Sequence, residues 1–154
     1  MTMEQDVRVL SLVPLFAQME GEALRLLAFT AEKISLEKNE YLFRHNETSD
    51  CGYLITSGSI VLDAGDMEPA CRVSLVAPAL IGETALMVET LRPANAMATE
   101  ATMLLKIPRK LFLRIMREFP EGAVRLRGFI GQRLAQFTGE LESARQKAEL
   151  RAAE

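Results

Sequence analysis

Between Ile34 and Ile107 the chain breaks into short β-forming runs, while the segments on either side carry helical hydrophobic spacing. This change of period narrows the possible folds more than any other feature. The runs are YLF (41–43), CGYLI (51–55), SIVL (59–62), RVSLV (72–76), ANAMA (94–98) and MLLKI (103–107), divided by HNETSD, TSG, DAGDMEP and APAL. Strand-sized pieces at steps of roughly 8–12 residues favour a sandwich or barrel over βαβ units. One insert breaks the rule: ETALMV is rich in helix formers and predicts a single turn or short helix at Glu83–Val88.

On the N-terminal side, Leu12, Leu15, Phe16, Met19, Leu24, Leu27 and Ala28 recur mostly at helical steps. They predict short amphipathic helices within 8–31, interrupted at Glu20-Gly21. After the strands, Pro108 opens a short helix through Met116, and Pro120-Glu121 opens a longer one with an acidic residue near its positive end. Along it, Ile130, Leu134, Phe137, Leu141, Ala144 and Ala148 keep the alternating rhythm of a coiled-coil seam. That seam either packs on its own chain or joins two chains, and its length favours a homodimer. The expected organisation is one domain over 1–154: helices at 8–31, a roll at 34–107 and C-terminal helices at 108–150.

Composition excludes several roles. A net charge of -3 argues against a basic face for nucleic acid, so direct DNA binding is not expected. Acidic residues stand where a secretory signal carries its basic region, and no apolar stretch is long enough to span a membrane. The expected address is the cytoplasm. Cys51 and Cys71 lack metal-site or disulfide spacing and read as free thiols. The lone histidine, His45, sits in a polar turn without a nucleophile to serve, so no catalytic residue and no metal is expected.

One segment carries chemistry. In GETALMVETLRPANAMA (82–98), Glu83 and Arg92 stand in an otherwise strand-forming region, with small residues after the Arg. They are either two unrelated surface charges or groups for opposite ends of one small polar ligand. A guanidinium holds two phosphate oxygens at once, and a carboxylate accepts hydrogen bonds from a sugar hydroxyl. Gly82 permits close backbone approach, and the small residues after Pro93 keep side chains out of a pocket.

The stretch GETALxxxxxRPANAxA resembles the phosphate-binding cassette of the cyclic nucleotide-binding domain family, with Gly82, Glu83, Ala85, Leu86, Arg92 and Ala94 at matching positions. VPLFAQM, YLFRHNETSDCGYLITSGSIVL and LLKIPRKLFLRIMREFP extend the resemblance over roughly residues 10 to 140. It implies a mainly β fold, a jelly-roll-type β-roll with short N-terminal helices and a long C-terminal helix. It also implies a ligand, cAMP or cGMP, held by Gly82, Glu83, Thr84, Arg92, Pro93 and Ala94. Arg92 would take the cyclic phosphate and Glu83 the ribose 2′-hydroxyl, with Leu86 packed beneath and Phe137 either a lid on the base or part of the seam.

Three departures from the family pattern stand out. Asn39 and Asn46 replace turn glycines, and asparagine is the residue that best tolerates a left-handed backbone in their place. VAPALIGE is one residue shorter than the common form and lacks its glycine. Pro93 has no N–H to offer a phosphate. The missing bond is worth roughly 1.5–3 kcal/mol, about tenfold to a hundredfold in affinity. In several relatives a Ser or Thr at this position helps select a guanine base, so the resemblance implies cAMP over cGMP.

The leading reading is a non-enzymatic sensor module that signals to a protein effector, not yet identified, through its C-terminal helix. The alternatives are a ligand-independent dimerisation scaffold with a decayed site, and a truncated transcription regulator. The last is weakened because the sequence ends at Glu154, with no room for a helix-turn-helix.

Overall fold

A computed structural model describes residues 3–63 and 72–132. Helix α1 (Met3–Leu12), a 3₁₀ turn (Phe16–Gln18) and α2 (Gly21–Thr30) precede eight strands. These are β1 (Glu32–Leu36), β2 (Tyr41–Phe43), β3 (Cys51–Ser57), β4 (Ser59–Asp63), β5 (Val73–Val76), β6 (Ala79–Ile81), β7 (Asn95–Ala98) and β8 (Thr102–Pro108). Helix α3 (Arg109–Glu118) follows, and residues 120–132 continue as helix α4.

The strands form two antiparallel four-stranded sheets, ordered β1-β8-β3-β6 and β2-β7-β4-β5. This is the mainly β fold with flanking helices that the resemblance implies. Between the sheets lie Leu36, Phe43, Tyr53, Ile55, Ile60, Ile81, Ala96 and Leu104. The opposite face of the first sheet sends Leu54, Leu105 and Ile107 into a second cluster with Leu10, Phe16, Leu27, Phe112 and Ile115 from the helices. Strand β3 is therefore covered on both faces, which is why CGYLI reads as a continuous apolar run rather than an alternating one. Removing a side chain such as Leu54, fully buried here, typically costs about 2–5 kcal/mol.

The structure corrects four expectations. Helix α1 begins at Met3, well before residue 8, and the acidic residues Glu4 and Asp6 lie in its first turn, where they suit the positive end of the helix. Leu12, expected on the apolar face, is 62% exposed at the last residue of α1. Strand β6 begins inside the divider APAL and ends at Ile81, pairing with β3 through Leu80 opposite Leu54. Strand β1 pairs with β8 although EKISL was not among the predicted runs.

Helix α4 opens against the N-terminal 3₁₀ turn, where the Arg125 Nε donates to the Gln18 carbonyl at 3.1 Å. Ala123 and Leu126 are buried there, and Ile130, first residue of the expected seam, packs partly against the helical cluster. The remaining seam residues Leu134, Phe137, Leu141, Ala144 and Ala148 lie outside the described residues, as does Cys71. Among the described residues no helix is long and apolar enough to cross a membrane.

Candidate functional site

Two chain segments face each other at one end of the roll. The first leaves β6 through Gly82, whose φ of 80° belongs to the left-handed region that glycine adopts freely. A 3₁₀ turn follows at Thr84–Leu86, with the Ala85 N–H donating to the Gly82 carbonyl at 3.1 Å. The expected short helix over Glu83–Val88 is thus one tight turn, reinforced by the Met87 and Val88 amides, which both donate to the Thr84 carbonyl at 3.0 Å. Leu86 is fully buried and packs beneath the turn against Gly52, as the resemblance implied.

The second segment is pinned by backbone. Arg92 N–H donates to the Glu47 carbonyl and Asn46 N–H to the Arg92 carbonyl, each at 2.8 Å. Asn46 has a φ of 69° and Asn39 one of 74°, so both asparagines occupy the left-handed turns read from the sequence. Ser49, buried, clamps the same segment: its N–H and hydroxyl meet the Thr90 carbonyl at 2.8 Å, and its Oγ accepts the Thr90 N–H at 3.1 Å.

The two segments enclose a cavity of about 360 Å³ lined by Gly82, Glu83, Thr84, Ala85, Thr90, Leu91, Arg92 and Pro93. Five of the six predicted ligand-binding residues line it. Ala94 does not and is half-buried beside it. Glu83 sits half-buried at the head of the turn, and Pro93 is exposed at the rim. A larger depression of about 940 Å³ opens between Met87, α3 and α4, but its lining is mostly apolar. The smaller cavity holds the chemistry, because it contains a buried charge.

That charge is Arg92, only 4% exposed. Its Nη2 donates to the Cys51 carbonyl at 2.8 Å and approaches the Cys51 thiol at 3.4 Å. Its guanidinium carbon lies 4.4 Å from the Phe43 ring centre and 5.5 Å from that of Tyr53. Both rings offer their electron-rich faces to the cation. Nη1 lies under Gly82, so close that a β-carbon there would stand 2.6 Å away. The glycine is required for space as well as for its backbone angle.

The groups beneath Arg92 stay neutral. Burial pushes the Cys51 thiol up from its ordinary 9.0, and burial with the Cys51 contact pushes the Tyr53 phenol well above its ordinary 10.0. The positive charge of Arg92 acts against both shifts without reversing them. A guanidinium thus sits in the roll with neutral acceptors and neutral rings, next to an open cavity. Burying a charge is costly, and an anion in the cavity would add to the compensation that the groups around Arg92 supply.

Sequence reasoning missed the aromatic floor, the Ser49–Thr90 clamp and Arg109. The first two carry no local signal, since 41 residues separate Ser49 from Thr90. Arg109 has one: it opens α3, whose first turn holds no acidic residue, and a cation at that positive end is disfavoured unless it has another task. His45 is exposed, and its N–H donates to the Asn95 Oδ1 at 2.7 Å, as expected of a turn residue.

The Cyclic nucleotide-binding domain family matches residues 33–119. The chain belongs to that family. A cyclic nucleotide-binding-like protein from Brucella abortus bv. 1 str. 9-941 is 40% identical, covers 73% of this chain and 97% of its own, and superposes with a TM-score of 0.63. The N-terminal domain of a transcriptional regulator from Streptomyces coelicolor A3(2) is 26% identical, with 86% and 94% covered and a TM-score of 0.75. Lysophospholipase nte1 of Aspergillus fumigatus is 29% identical over 108 residues, 69% of this chain. The chain spans about 7% of the length of that enzyme.

Proposed function

We propose that the chain is a cyclic nucleotide sensor module, with cAMP favoured over cGMP. Arg92 takes the cyclic phosphate, Glu83 the ribose 2′-hydroxyl, and Gly82, Thr84, Pro93 and Ala94 shape the cradle. The observation that supports this most strongly is the buried Arg92 guanidinium, held from below by neutral groups and bordering a cavity of about 360 Å³. A singly charged cyclic phosphate is the anion that family membership indicates. Signalling runs through the C-terminal helix to a protein effector in the cytoplasm, with a homodimer formed along the 130–148 seam. The net charge of -3 disfavours DNA as the direct partner.

Pro93 favours a second reading, a dimerisation scaffold whose site has decayed, because the rim lacks one N–H donor. Calorimetry with cAMP, cGMP and linear 5′-AMP separates the two. The sensor reading expects heat with a cyclic nucleotide that disappears in Arg92→Ala. Absence of heat at millimolar ligand leaves the scaffold reading standing.

A further inference from the structure

Arg109 touches both walls of the cavity from outside it. Its Nε donates to the Ala85 carbonyl at 2.7 Å, on the wall formed by the 3₁₀ turn. Its Nη2 donates to the Ser49 carbonyl at 2.5 Å, and Ser49 in turn clamps Thr90 on the opposite wall. The Arg109 N–H donates to the Asp50 carbonyl at 2.8 Å, so the backbone at the first residue of α3 is fastened to the same place. One side chain therefore spans the separation between the two walls and is rooted in the helix that leads to α4.

We propose that Arg109 is a positioning residue that sets the gap between the cavity walls and transmits changes in that gap to α3. The planar fork matters, because its two donors leave from different nitrogens toward carbonyls on different segments. A lysine ammonium concentrates its donors on one atom and cannot satisfy both acceptors in the same way. Movement of the Ala85 carbonyl as a ligand draws in the turn pulls directly on the start of α3. Loss of either bond releases one wall while leaving the sheets untouched.

The coupling to ligand rests on the reading of the cavity as a nucleotide site; the role in the ligand-free chain does not. Hydrogen exchange on the full chain, with and without cAMP, tests both. In Arg109→Lys without ligand, exchange at the Leu86, Met87, Val88 and Thr90 amides should rise about tenfold, with β1–β8 amides unchanged. Affinity for cAMP should fall by about tenfold, the size of one charge-assisted bond, and protection conferred by cAMP on residues 111–118 should vanish. Arg109→Gln, which keeps a single donor group, serves if the lysine variant does not fold. Parent-like exchange at both walls, an even rise throughout the sheets, or cAMP-dependent protection of α3 surviving in the variant overturns the proposal. If the parent binds no cyclic nucleotide, the sensor reading fails on its own, and the localised rise in the ligand-free variant still decides whether Arg109 holds the walls.

Discussion

The Arg92 guanidinium carbon lies 4.4 Å from the centre of the Phe43 ring, in a part of the roll where Arg92 is 4% and Phe43 6% exposed. The same pairing occurs at the surface, where the Arg44 carbon sits 3.9 Å from the ring centre of Tyr41, itself 44% exposed. Geometry alone ranks the surface pair higher, but water screens it. Desolvated cation–π pairs reach about 2 kcal/mol, against about 0.5–1 kcal/mol at exposed sites.

Replacing Phe43 by Leu keeps an apolar side chain but removes the ring face. The expected loss is about 2–3 kcal/mol, combining the cation–π contact with modest repacking. Tyr41→Leu should cost under about 1 kcal/mol. Urea denaturation of both variants checks the difference. Equal losses would show that the ring beneath Arg92 acts only as packing.

Asn39 and Asn46 hold φ values of 74° and 69°. Alanine at either position must enter the left-handed region, which it tolerates less well than asparagine does, at an expected cost of about 1–2 kcal/mol. Glycine removes that strain but gains freedom in the unfolded chain worth about 0.4–1 kcal/mol, so Asn→Gly should be near neutral. Denaturant midpoints of the four variants test this ordering, and an alanine variant matching its glycine counterpart overturns it.

The parts of the fold legible in the sequence were those with local causes. Left-handed turns at the two asparagines, strands such as YLF and MLLKI, and the glycine-led turn into the cavity each follow from residues within a few positions of one another. What stayed hidden depends on distant partners. Strand β6 has only three residues, and its identity comes from pairing with β3. Strand β1 shows little burial along its length and is specified by its ladder with β8. Glu83 and Arg92, which both line the cavity, were singled out from type and spacing. Their supports Phe43, Tyr53 and Ser49 were not, because nothing local marks a residue whose partner lies dozens of positions away, and Arg109 carried only the sign of a cation at the positive end of α3.

Alkaline pH should destabilise the fold. Burial raises the folded-state values of Cys51 and Tyr53 above their ordinary 9.0 and 10.0. As pH climbs past those ordinary values, the unfolded chain releases protons that the folded chain retains, so the unfolded state binds fewer protons and stability falls. The contribution is fully present below about pH 8 and declines from about pH 9 upward. Urea titrations between those limits and about pH 10.5 should show the decline, and Cys51→Ala with Tyr53→Phe should flatten it. A slope unchanged in the double variant removes these two groups as its cause.

Gly82 combines two requirements that substitution can separate. Its φ of 80° disfavours any β-carbon, and a β-carbon there would stand 2.6 Å from the Arg92 Nη1. Gly52 is a useful contrast, since a β-carbon would meet Leu86 Cγ at 3.1 Å without a positive φ. Backbone strain alone should cost Gly82→Ala about 1–2 kcal/mol, and displacement of the guanidinium adds to it. In an Arg92→Ala background the second contribution disappears and the first remains. The double-mutant cycle should therefore show a coupling of about 0.5–3 kcal/mol in which the two substitutions together cost less than their sum. Denaturant unfolding of the four proteins measures it. Strict additivity would mean that Gly82 serves only the turn, and that the guanidinium can shift without loss.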